Sequence, residues 1–101
     1  MSTDQPILTI SVAASLLSLH TRTLMLYERT GIIKPHRTTT NRRLFSLEAL
    51  DHLQFVKYLT RTQGVNLKGA QIILEAIKVA QNEGINLRKL LFPQFKAQKL
   101  I

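Results

Sequence analysis

Apolar residues recur at helical spacing in four stretches of the chain, separated by polar or glycine-containing breaks. In the first, Val12, Ala13, Leu16 and Leu17 fall on one side of a short helix that Ser11 can cap. Ser18-Leu19 leaves room only for a tight turn before a second helix, which opens at His20, runs through Glu28 and stops at Gly31. Leu19 and Leu24 are placed to pack the angle between these two helices. In the third stretch Leu47, Leu50, Leu53, Val56 and Leu59 recur every three residues behind a Ser46 cap, Phe55 and Tyr58 broaden the stripe, and Gln63-Gly64 ends it. In the fourth, Asn66 caps a helix whose Ala70, Ile73, Leu74, Ile77 and Ala80 share one face, and Gly84 ends it. Gly69 weakens this last helix slightly, because glycine loses more backbone freedom than alanine there.

The remaining segments are extended or turn-like. Residues 1–7 form a polar, flexible N-terminus, and Ile7 to Ile10 alternate loosely as a short strand. Pro35 cannot continue a helix, so Ile32 to Arg37 is extended, Thr38 to Asn41 turns, and Arg42 to Phe45 returns as a second strand. Asn41 is the residue of that turn best able to adopt a left-handed conformation. The result is a two-stranded ribbon tipped with threonines and carrying Arg37, Arg42 and Arg43, whose like charges repel unless something compensates them. Gly84-Ile-Asn-Leu-Arg88 echoes Gly64-Val-Asn-Leu-Lys68, the same stop followed by the same cap. Beyond it, Leu87, Leu90, Leu91, Phe92 and Phe95 are apolar among lysines and arginine, and Pro93 prevents one continuous helix. The expected organisation is therefore a flexible 1–7, one ordered body over 8–82, and a tail over 83–101 that packs back or meets a dimer mate or partner. The fold class is mainly α, a helix-turn-helix with a two-stranded β wing.

Charge narrows the function. The chain carries a net +8, and between His20 and Arg43 six cationic side chains face Glu28 alone. A cationic excess concentrated on a helix-turn-helix favours a polyanion through counterion release, with double-stranded DNA foremost. Thr21, Arg22 and Thr23 occupy the exposed start of the second helix, where side chains reach base edges and phosphates. Cysteine is absent, which excludes disulfides and thiolate metal sites. No apolar run approaches the ~20 residues that span a bilayer, and the N-terminus lacks the features of a signal peptide. A cytoplasmic, nucleoid-associated protein without membrane contact is expected. His20, His36 and His52 lie on different elements with no carboxylate in register, and no phosphate loop, nucleophile triad or metal-ligand spacing occurs. No enzyme, metal or cofactor is expected.

Ile10-Ser-Val-Ala-Ala, Thr23-Leu24, Tyr27-Glu28, Gly31-Ile-Ile-Lys-Pro-His-Arg37 and Arg43-Leu-Phe-Ser46 together resemble the winged helix-turn-helix of the MerR family, in order and spacing, over roughly residues 8 to 80. His20, Asn41-Arg-Arg-Leu-Phe-Ser46 and Leu59-Thr-Arg-Thr-Gln-Gly-Val-Asn-Leu67 are most similar to its HspR-type heat-shock repressors. The resemblance implies a recognition helix in the major groove, Arg43 and its neighbours on the backbone, Tyr27 at a phosphate, and a dimer on an inverted repeat. It also implies a chaperone as possible co-regulator.

The chain departs from the family pattern in having Met25 for arginine, Phe45 for tyrosine and Thr21 for proline. Arg22, Arg29 and Arg42 are the expected substitutes for the lost contacts. Residues 85–101, interrupted by Pro93, are not expected to supply the long dimerisation helix or effector domain of many members, so a homodimer through the short tail and cooperative assembly on DNA are both expected possibilities. The candidate DNA-binding residues are Ser11, His20, Thr21, Arg22, Thr23, Tyr27, Arg29, Arg37, Asn41, Arg42 and Arg43. The candidate dimer or partner contacts are Leu87, Leu90, Leu91, Phe92 and Phe95. The expected function is a sequence-specific transcriptional repressor. The alternatives are an excisionase-like or architectural DNA-binding protein, and a protein-interaction module on the same fold.

Overall fold

The computed structural model describes residues 3–101, which form two compact units. The first holds the chain up to Gln54 together with Gln98–Ile101, and the second holds Phe55–Ala97. Met1 and Ser2, part of the segment expected to be flexible, lie outside the described residues.

In the first unit, β1 (Leu8–Thr9) leads into α1 (Ile10–Leu17) and α2 (Thr21–Arg29). The helix start differs from the sequence expectation. Thr9 is the cap, its Oγ1 accepting from the Val12 N–H at 3.3 Å, and Ser11 is already inside the first turn. Thr9 can do this because β1 pairing holds it in an extended conformation, as a capping residue requires. The buried face consequently comprises Ala13, Ala14 and Leu17, while Val12, expected on it, is 44% exposed. Ser18 makes the turn in a left-handed conformation, which lets the Leu19 N–H reach back to the Ala14 carbonyl. Leu19 and Leu24 are both buried at the angle between α1 and α2, as their spacing predicts.

The wing is larger than expected. β2 (His36–Arg37) and β3 (Arg43–Phe45) form the predicted antiparallel ribbon, but β1 pairs with the other edge of β3, giving a three-stranded sheet in the order β1-β3-β2. Leu8 opposes Phe45, His36 opposes Leu44, and Arg37 opposes Arg43. Asn41 closes the turn in the left-handed region, and Thr38 Oγ1 accepts from the Arg42 N–H. α3 (Leu47–Lys57) then starts at Ser46, whose Oγ accepts from the Ala49 N–H at 3.0 Å. The Thr3 carbonyl accepts the neighbouring Glu48 N–H, and the Ile7 N–H donates to the Phe45 carbonyl, so residues ahead of β1 are also attached. Gln54 and Gln98 exchange two 2.8 Å hydrogen bonds that fasten the end of the chain to this unit.

In the second unit, α3 passes into a π turn over Tyr58–Thr62, followed by α4 (Leu67–Asn82) and a one-turn α5 (Leu87–Leu91). Thr60 Oγ1 donates to the Val56 carbonyl across the π turn, a side-chain bond that competes with the regular helical ladder. The repeated glycine-then-asparagine pattern is realised twice. Gly64 and Gly84 both have positive φ, and Asn66 and Asn86 both cap the helix that follows. Phe55, Leu59 and Ala70 are buried, with Tyr58, Ile73, Leu74, Ile77, Phe92 and Phe95 packed against them. The Phe55 and Phe95 rings stand 5.1 Å apart, and the Arg88 guanidinium lies 5.5 Å from each. Two of the residues expected to meet a partner, Phe92 and Phe95, are therefore internal packing residues. The aromatic side chains gain more by stacking on Phe55 and Tyr58 than by waiting in water. Leu87 is half-buried, whereas Leu90 and Leu91 remain exposed. Among the described residues no helix is long and apolar enough to cross a membrane.

Gly69 has a packing role that helix propensity alone hides. A Cβ there would sit 2.7 Å from Val65 Cγ1 and 3.2 Å from the capping Asn66 Oδ1. Gly69→Ala, favourable by about 1 kcal/mol on propensity, is therefore expected to destabilise the protein by about 1–2 kcal/mol. Thermal unfolding of the variant checks this, since a raised midpoint would mean that Val65 yields without cost.

Candidate nucleic-acid interface

The start of α2 is built by His20. Its Nδ1 accepts from the Arg22 N–H at 3.0 Å, which satisfies one of the orphan amides of the first turn and requires the ring hydrogen to sit on Nε2. Arg22 projects from that turn into solvent, flanked by the half-buried Thr21 and Thr23. Arg29 is exposed in the last turn of the helix, where a cation interacts favourably with the helix dipole. Ser11 is exposed on the first turn of α1. Tyr27 stands apart from these residues because it is 2% exposed, so its ring serves the core first.

The organising feature is Glu28. Its carboxylate accepts from Arg37 Nη2 at 3.0 and 2.9 Å, one bond to each oxygen, and from Arg43 Nε at 2.7 Å. Arg37 also donates through Nη1 to the Asn41 carbonyl, at the wing turn. Arg37 and Arg43 are direct cross-strand neighbours, an arrangement in which like charges repel. One carboxylate from α2 offsets that repulsion and ties both wing strands to the recognition helix. The compensation that the wing arginines need thus comes from within the chain.

Partial burial pushes the Glu28 carboxyl up, but the hydrogen bonds from Arg43 and then Arg37, together with their charges, outweigh it and hold the group below the ordinary carboxylate range. In the sequence Glu28 stands out as the one acid in a basic segment and as half of the Tyr27-Glu28 pair of the family pattern. That solitude was the available signal.

With Arg37 and Arg43 engaged, the cationic side chains divide into two sets. Among the described residues Arg22, Arg29 and Arg42 make no side-chain hydrogen bond or ion pair, and all three are exposed. These are the three expected to replace the arginine that Met25 displaces, and Met25 itself is 38% exposed. The structure therefore brings a capped helix start, an arginine-bearing wing turn and a tether between them into one unit. No group of three His, Cys, Asp or Glu side chains that could hold a metal occurs among the described residues.

A carboxyl held below its ordinary value contributes stability above the unfolded-state pKa, and that contribution is lost as pH falls through the folded-state value. Glu28→Gln is expected to cost about 1 kcal/mol at neutral pH, after allowance for solvent around the partly exposed arginines, or roughly 5 °C in midpoint. It is also expected to flatten the stability profile on the acid side. Unfolding measured from neutral pH down to about 3 checks both, and an unchanged acid limb would show that the tether contributes nothing.

Comparison with known proteins agrees with this geometry. Residues 8–77 match the family model described as MerR HTH family regulatory protein. HspR of Streptomyces coelicolor, named as a heat shock protein, is 39% identical over 75 residues, covering 74% of this chain and 50% of that protein. The HTH-type transcriptional regulator GlnR of Bacillus anthracis and of Bacillus cereus is 33% identical over 84 residues, covering 83% of this chain and 64% of each. The chain thus spans half to just under two-thirds of the length of these relatives. Its fold superposes with a TM-score of 0.70 and 25% identity on HiNmlR, a MerR family regulator lacking the sensor domain, solved bound to promoter DNA, over 85% of this chain and 64% of that one. The family match runs from β1 into α4 and takes in the capped helix, the wing and the Glu28 tether, and the chain belongs to the MerR family of helix-turn-helix regulatory proteins.

Proposed function

We propose that this chain is a sequence-specific DNA-binding transcriptional regulator that acts as a repressor on an inverted repeat. The observation that carries the proposal is the division of the arginines. Arg22, Arg29 and Arg42 are free to meet phosphates and base edges, while Arg37 and Arg43 are bound to Glu28 and hold the wing on α2. In this mechanism Thr21, Arg22 and Thr23 enter the major groove, and His20 supports them as the helix cap. Arg42 and the wing turn shaped by Asn41 lie along the flanking backbone, with Arg29 and Ser11 at neighbouring phosphates. The Tyr27 ring positions the helix from the core side, so a phosphate contact falls to its hydroxyl alone. Two copies occupy the two half-sites, and their presence over a promoter excludes or distorts what polymerase needs.

The promoter-bound state of HiNmlR supports DNA binding by this fold, and repression with a chaperone as co-regulator is the role that the resemblance to HspR-type heat-shock repressors implies. In that form the protein works in the cytoplasm at the nucleoid, and adding the chaperone raises operator occupancy at fixed regulator concentration.

Binding to fragments of its own upstream region, across a salt series and against scrambled competitor, tests the proposal. Arg42→Ala is expected to weaken all sequences alike and to lower the salt slope by about 1. Arg22→Ala is expected to cost roughly 1–3 kcal/mol on the operator and little on scrambled DNA. Equal affinity for every fragment would replace the regulator with an architectural role, and activation in a transcription assay would reverse the sign.

A further inference from the structure

Leu24 and Tyr27 are the buried side of α2, Glu28 reaches the wing arginines, and the exposed positions of the helix are Arg22, Met25 and Arg29. At about 100° per residue these three fall within about 60° of one another, opposite the buried side. They form one stripe. Two of its members are guanidiniums without a side-chain partner among the described residues, and between them along the helix stands a thioether, 38% exposed.

The fold does not ask for an apolar residue there. Leu24 and Tyr27 already supply the buried face, and the outward face of such a helix is ordinarily polar. In the major groove, which the stripe enters if α2 is the recognition helix, the choice of contact for Met25 is narrow. A thioether has no hydrogen to donate and its sulfur accepts only weakly, so it cannot pair with the donor and acceptor edges of guanine, cytosine or adenine. Pressed against those edges it would displace water without replacing the water's hydrogen bonds, which weakens binding. The one apolar group that the base pairs present in this groove is the C5-methyl of thymine. An unbranched, polarisable side chain adapts well to such a small target.

We infer that Met25 is a specificity-determining residue of α2 that reads thymine, packing on the C5-methyl group beside the contacts made by Arg22 and Arg29. This rests on the major-groove docking of α2 proposed above and adds a base identity to it. Arginine, which the family pattern has in place of Met25, would favour guanine instead, because its guanidinium meets O6 and N7 together. The substitution exchanges a hydrogen-bonded readout for an apolar one. Thr21 and Thr23 also carry methyl groups, so the test must tie the preference to Met25 itself.

Selection of the full chain on a randomised duplex library gives its preferred site, and each thymine of that site is then replaced by deoxyuridine, which lacks only the C5-methyl. For the wild-type protein one such replacement in each half-site is expected to weaken binding about fourfold, the effect of one buried methyl group. Met25→Ala is expected to bind the thymine and uracil forms of that position alike, and Met25→Arg to select guanine there. Alanine and arginine favour a helix at least as well as methionine, so both variants keep α2, which circular dichroism verifies. A wild-type protein indifferent to every uracil replacement, or a uracil penalty that persists in full in Met25→Ala, would overturn the inference. A preferred site found without that dependence leaves the DNA-binding proposal standing, whereas selection of no site at all removes both.

Discussion

The Glu28 carboxylate is the constraint on which the first unit depends. The outer strand of the wing, β2, is only two residues long, and it places Arg37 directly opposite Arg43 of β3. The anion between them offsets the repulsion of these like charges. Because the anion comes from the last turn of α2, neutralising the wing also fixes its distance from the recognition helix. Arg37 bridges both Glu28 oxygens through Nη2 while its Nη1 holds the Asn41 carbonyl, a division of one planar group between two acceptors that a lysine ammonium would not reproduce, and Arg43 adds a short bond.

The same tether separates two jobs that a count of positive charge would merge. Arginines that hold structure have their donors occupied, and arginines that remain solvated can release counterions on meeting a polyanion. Arg42 follows the tight turn at Asn41 and lies next to the tethered Arg43, so a rigid position presents a free charge. Rigid placement matters because ordering a loose arginine at the moment of binding consumes part of the contact energy.

In the second unit the short α5 shows how a marginal helix is kept. Five residues cannot sustain a helix in water, but the Asn86 cap supplies its start and the Phe92 and Phe95 rings hold its end against Phe55 and Tyr58. The apolar residues left outside this packing are Ile72 and Val79 on α4 and Leu90 and Leu91 on α5.

Local physics was readable in the chain as written. The caps at Ser46 and Asn66, the stops at Gly31, Gly64 and Gly84, the left-handed Asn41 and the stripe of Leu50, Leu53, Val56 and Leu59 each depend on neighbours within a few residues. Their spacing therefore carried them. The basic reader was visible for the same reason, because the charges of α2 and the wing are close in sequence. What sequence could not give were the relations between distant segments. Thr9 became the cap of α1 because Leu8 and Thr9 pair with β3, across more than thirty intervening positions. Phe92 and Phe95 became core because Phe55 and Tyr58 lay within reach of them, and Gly69 became a packing residue because of Val65. Glu28 moved from a lone acid in a basic run to the tie between helix and wing only when folding brought Arg37 and Arg43 to its two oxygens. Hydrophobic period and capping act along the chain, whereas ion pairing and side-chain packing act through space, and only the folded chain specifies which side chains meet.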